Sequence, residues 1–184
     1  MKKIIRPTLP LMELFGIAAV VLSAAFMRRL YKQTGSAAGI LFGAVNRSPW
    51  ELCKTLMLPY LLWGMAELVC LKPPLRRFTT AKTAGLYCLG LLYLSARLTL
   101  PVIGENPVFE LISAVLCLCF SAVLTRLLLH SPLHLGELFA PSLALLLLFL
   151  ALYCSFTPFP PDLKIFYAGE TRGIAPFIND IICR

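Results

Sequence analysis

Five apolar stretches of about twenty residues each, separated by short polar or basic joints, fill most of this 184-residue chain. A helix of about 20 apolar residues crosses the hydrocarbon core of a bilayer, so the pattern predicts an all-α, polytopic transmembrane helix bundle. Composition agrees. Hydrophobic residues make up 59% and charged ones 14%, with a mean hydropathy of +0.81. A soluble domain carries about 25% charged residues.

The spans are expected at about 9–27, 50–71, 83–103, 108–129 and 138–156, forming one bundle over 1–156 and a polar, Pro-containing tail over 157–184. Against a cleaved signal peptide in the first span stand its length, Pro10 and Glu13, and the poor cleavage site Ser23-Ala24-Ala25. Pro59 inside the second predicts a kink near 55–59. The segment Gly39 to Val45 is apolar but too short to cross, which fits an interfacial or re-entrant half-helix between spans 1 and 2. Gly35, Gly39 and Gly43 are spaced by four, so on a helix they make one smooth stripe; accidental loop glycines are the equal alternative. In the tail, Pro158, Pro160 and Pro161 favour an extended segment, with Phe166, Tyr167, Phe177 and Ile178 as apolar anchors. It reads as a lid over the outer mouth, a partner-binding arm or a disordered end.

The net charge of +8 sits mostly in the joints, where orientation and anionic headgroups call for it. No nucleic-acid motif accompanies it, so membrane lipids are the expected partners, with a second membrane protein as a further candidate. With five spans, Lys2, Lys3, Arg6, Lys72, Arg76, Arg77, Lys82 and Arg126 share one side; Arg28, Arg29, Lys32, Arg47, Lys164, Arg172 and Arg184 share the other. Arg184 is far from any span, so the preference is an N-terminus inside and a tail outside a bacterial cytoplasmic membrane.

Six of the seven cysteines (Cys53, Cys70, Cys88, Cys117, Cys119, Cys154) lie in apolar runs and read as small packers; Cys183 alone is expected to be exposed. His130 and His134 flank Pro132 in a turn, a poor metal site. Neither cofactor nor metal is expected, and no hydrolase, metalloprotease, phosphate-loop or dinucleotide motif appears.

Ionisable residues within spans are site candidates. Glu51 and Lys54, three apart, share a helix face. Arg97 and Glu110 flank the turn Gly104-Glu105-Asn106-Pro107 at similar depth and are expected to pair. An outward polar cluster of Asn46, Ser48, Trp50, Glu51, Lys54, Arg97 and Glu110 follows. Glu67 is expected to meet Arg76 or Arg77, and both Glu67 and Glu13 to be boundary charges in preference to members of a proton path.

Two segments carry a resemblance. Leu30-Tyr31-x-x-Thr34-Gly35, followed by Ala44-Val45-Asn46-Arg47-Ser48-Pro49-Trp50-Glu51-Leu52-Cys53-Lys54, resembles the region around a V-N-E-S-x-W-E-H-x-K motif in a family of small bacterial five-span membrane proteins of unknown function. The tail, Phe156-Thr157-x-x-Pro160-Pro161, then Ile165-Phe166, then Thr171-x-Gly173-Ile174, resembles that family's ending. Arg47 stands where the family has Glu, and Leu52 where it has His. The resemblance therefore implies a divergent member that has lost most of any metal or proton-handling site formed there.

Three functions remain open: a non-catalytic membrane component or accessory subunit, a small-solute transporter or substrate-binding subunit, and an enzyme acting on a lipid-linked substrate. The first needs Arg97 and Glu110 fully paired and no substrate-sized cavity. The second needs Glu51 and Arg97 in a water-filled path. The third needs Glu51 beside a lateral opening.

Overall fold

The computed structural model describes residues 9–34, 37–45, 47–100, 106–157, 161, 163–168 and 171–172. Among them the chain is helical apart from one two-residue β-ladder: α1 (Leu9–Thr34), α2 (Ala37–Phe42), α3 (Pro49–Leu71), α4 (Leu75–Thr99), α5 (Pro107–His130), α6 (Phe139–Phe156), a 3₁₀ turn (Lys164–Phe166), and β1 (Tyr167–Ala168) antiparallel to β2 (Thr171–Arg172). Three helices, α3, α5 and α6, are long and apolar enough to cross a membrane.

The starts of α3 and α5 are written into the sequence. Ser48 caps α3 by accepting the Glu51 N–H at 3.3 Å, and Asn106 caps α5 by accepting the Val108 N–H at 2.9 Å. Proline then takes the first helical position in both, where its missing N–H is harmless. At its end α3 closes on Lys72, which takes the left-handed conformation (φ 46°) just before Pro73.

The helix ends differ from the sequence expectation. α1 continues past residue 27 to Thr34, carrying Arg28 and Arg29 with it. α4 begins at Leu75, directly after Pro73-Pro74, so the basic joint shrinks to 72–74 and Arg76, Arg77 and Lys82 are helical. Charge alone marked those residues as joint, but Arg77 and Lys82 find places in the bundle: the Arg77 guanidinium donates to the Ser131 carbonyl and so ties the start of α4 to the end of α5, and Lys82 pairs with Glu67. α4 ends at Thr99, before Pro101, which disfavours helix in its predecessor; the expected turn at 101–105 lies outside the described residues. α3 runs unbroken through Pro59. The half-helix expected after span 1 corresponds to α2, and the Gly43 N–H closes it on the Gly39 carbonyl at 2.8 Å. Gly35 lies outside the described residues.

The core gathers around α3 and α4. Every residue from Trp50 to Tyr60 is buried, so this half of α3 is enclosed on all sides. α4 packs against α3, α5 and α6, and α1 against α2, α3 and α5. Leu56, Leu86, Leu89, Tyr93 and Leu118 fill the centre at 0–1% exposure. The outside is apolar too: Leu14, Phe15 and Leu22 on α1, Leu116 and Phe120 on α5, and Leu143 and Leu147 on α6 are exposed. Leucines on both the inner and outer faces are what a lipid-facing bundle requires. Cys70 and Cys154 are also exposed, contrary to the expectation for apolar-run cysteines, because they fall on these outward faces; Cys183 lies outside the described residues.

Candidate functional site

α3 begins among the residues that carry the motif. The Glu51 carboxylate and the Lys54 ammonium, one turn apart, pair at 3.0 Å with side chains 6% and 0% exposed. Neither charge relies on the other alone. Glu51 also accepts the Val45 N–H at 2.9 Å, and Lys54 donates to the Ile40 carbonyl at 3.2 Å and to Thr157 Oγ1 at 3.3 Å. The Tyr153 ring stands 5.8 Å from the ammonium, and its hydroxyl donates to the Leu41 carbonyl at 3.0 Å. One ion pair thus ties α2, the following loop, α3 and the end of α6 together.

Trp50 sits beside it, its ring 5.5 Å from Phe156 and 5.6 Å from Phe166; the two phenylalanines meet edge to face at 5.3 Å. Phe166 is 3% exposed. The described part of the tail is therefore docked on the start of α3, over the Glu51–Lys54 pair. Truncating the anchor, Phe166→Ala, is expected to release it: limited proteolysis should cut the variant in the tail at least about tenfold faster than the parent, since the lost ring contacts weaken docking by more than about 1.4 kcal/mol.

Glu110 pairs with Arg28 of α1, and not with Arg97 as expected from depth. Because α1 stays helical past residue 27, Arg28 reaches α5 at the level of Glu110, and its Nε lies 3.5 Å from Thr55 Oγ1. Arg97 turns to the loop before α3 and donates to the Arg47 carbonyl at 3.2 Å. Among the described residues its Nη1, the Tyr93 hydroxyl and the Trp50 indole N–H are buried without a hydrogen-bond partner.

Of the sequence candidates, Ser48, Trp50, Glu51 and Lys54 come together; Arg97 and Glu110 lie on the same end of the bundle in separate contacts. Asn46 lies outside the described residues. Arg28, Tyr153 and Thr157 were missed. Thr157 was legible only through the tail motif, and Arg28 only if the first helix is carried through its basic end.

The far end of the bundle holds a second charged group. Glu67 does not meet Arg76 or Arg77; it pairs with Lys82 at 2.5 Å and accepts the Trp63 indole N–H at 3.1 Å. Glu67 and Glu13 are 0% and 8% exposed, so both are enclosed by the bundle. The Lys82 ammonium is 5.0 Å from the Tyr60 ring and 5.8 Å from that of Phe78.

An apolar groove of about 200 Å³ runs between α1 and α3, lined by residues that include Ala19, Ser23, Pro59, Leu62 and Ala66. A smaller cavity lies at the Glu13–Glu67 end. Neither touches Glu51, Lys54, Arg97 or Glu110. Among the described residues no group of three or more His, Cys, Asp or Glu could hold a metal. No family model, curated protein or solved structure matches the chain.

Proposed function

We propose that this is a five-span protein of the bacterial cytoplasmic membrane, N-terminus inside and tail outside, acting as a non-catalytic component or accessory subunit of another membrane protein. α1 and α4, of 26 and 25 residues, are long enough to be the two further spans. α4 carries its polar residues because other helices, and not lipid, surround much of it.

The carrying observation is the saturation of the Glu51–Lys54 pair. Both charges are buried and bonded internally, Lys54 also to Thr157 at the head of the tail. Such a cluster holds elements together and leaves no group for chemistry. The resemblance supports the same reading. Leu52, at the position where the family has His, is 4% exposed within the apolar core, and Arg47 engages Arg97 through its backbone carbonyl.

The buried, acceptorless donors of Tyr93 and Arg97 favour a second reading, a substrate-binding subunit that takes a small anion at this end. A membrane-impermeant thiol reagent applied to intact cells separates the two. In a chain whose only cysteine is Cys53, which is 0% exposed beside Lys54, no labelling is expected, while a Leu163→Cys control reacts. Labelling of Cys53 at the control's rate means a water-filled path and rejects the non-catalytic reading.

A further inference from the structure

Glu13 enters from the second turn of α1, Glu67 from the last turns of α3, and Lys82 from the second turn of α4. At 1.5 Å per residue they lie roughly 6–10 Å inside their helix ends. They line one cavity of about 10 Å³, together with Tyr60, Trp63 and apolar residues of α1 and α5. That is about the space of a single water molecule.

Charge does not balance in this cavity. Two carboxylates face one ammonium. The ammonium is committed to Glu67 at 2.5 Å, and Trp63 occupies the other Glu67 oxygen. Among the described residues Glu13, 8% exposed, is left with its Oε1 buried and unpartnered. The charged groups near it among those residues are Lys82 on α4, Glu67 on α3, and Arg126 and His130 on α5; the last two are exposed, where solvent or headgroups weaken their hold. A net negative charge enclosed between helices needs one more positive charge. A metal ion would want several oxygen ligands. Beyond the two carboxylates the cavity offers the Tyr60 hydroxyl, which is already bonded to Thr125 Oγ1 at 3.0 Å.

We propose that Glu13, Glu67 and Lys82 form a membrane-embedded proton-binding site, in which the Glu13 carboxyl exchanges a proton with water through this cavity. The step is a proton transfer alone: an O–H bond forms on Glu13 as one breaks on the donor water or hydronium. Lys82 and Trp63 take both oxygens of Glu67, so Glu13 is the member that changes charge.

Infrared difference spectra of the full chain in liposomes, between about pH 5 and about pH 8, test this. The wild type is expected to show a carboxyl C=O band that shifts in heavy water, vanishes in Glu13→Gln and persists in Glu13→Asp. In Lys82→Gln the band should move along the pH axis. Replacing sodium by choline should leave it unchanged. Superimposable spectra of the wild type and Glu13→Gln, both helical by circular dichroism, overturn the proposal. So does a band that ignores Lys82→Gln, or one that follows sodium at fixed pH.

Discussion

Lys54→Met is expected to lower the unfolding free energy by roughly 3–5 kcal/mol, because it leaves the Glu51 carboxylate buried without its cation. Methionine fills most of the volume, so lost packing is the smaller part of the effect. The partner change, Glu51→Gln, strands an ammonium that is 0% exposed and should destabilise by a similar amount. The double variant Glu51→Gln/Lys54→Met removes both charges and should recover most of the loss, since replacing a whole buried pair is often neutral. Unfolding titrations in mixed micelles give the three values and their coupling. Additive losses would mean that Lys54 acts through its bonds to Ile40 and Thr157 and not through Glu51. The same titrations bear on the proposed role. A pair that serves only to join α2, α3 and α6 can be replaced without loss of assembly.

Which parts of this arrangement could be read from the sequence follows from how local each signal is. The Glu51–Lys54 pair was legible because a spacing of three on a helix fixes proximity. The pairing of Glu110 was not. Depth counted from the connecting turn placed Arg97 near it, but depth says nothing of which helix faces which. Arg28 reaches Glu110 because α1 packs on α5 as well as on α3, a fact of bundle order that no spacing encodes. Glu67 shows the same limit. Arg76 and Arg77 are closest in sequence across the Lys72–Pro74 joint, yet Lys82 is the partner, since Pro74 starts α4 early and two further turns of helix bring residue 82 level with Glu67. Once the helices are extended, residues near apparent span ends are enclosed between helices.

At Gly85 side chains of α3 and α5 leave no room for a Cβ, and Gly85→Ala is expected to reverse the usual helix ranking. In an open helix interior that change stabilises by about 1 kcal/mol. Here a Cβ would overlap Thr125 Oγ1 and the Tyr60 hydroxyl and stand 3.1 Å from Ser121 Oγ. Those three side chains are one network: Tyr60 meets Thr125 at 3.0 Å, Thr125 donates to the Ser121 carbonyl at 2.9 Å, and Ser121 donates to the Gly85 carbonyl at 2.6 Å. Ser121 and Thr125 are 0% exposed, and enclosed between helices they have no water to turn to. Overpacking costs about 1–3 kcal/mol, and a stranded buried hydroxyl about as much again. A net loss of about 3 kcal/mol is therefore expected. Gly136→Ala, at a position with nothing within 4 Å of an added Cβ, is the control and should change stability by less than about 0.5 kcal/mol. Thermal unfolding of the two variants in detergent compares them directly. A Gly85→Ala variant as stable as its parent would mean that α4 and α5 separate enough to admit the methyl without breaking the network. The close contact of α4 with α5 would then be a preference of the small side chains and not a requirement of the fold.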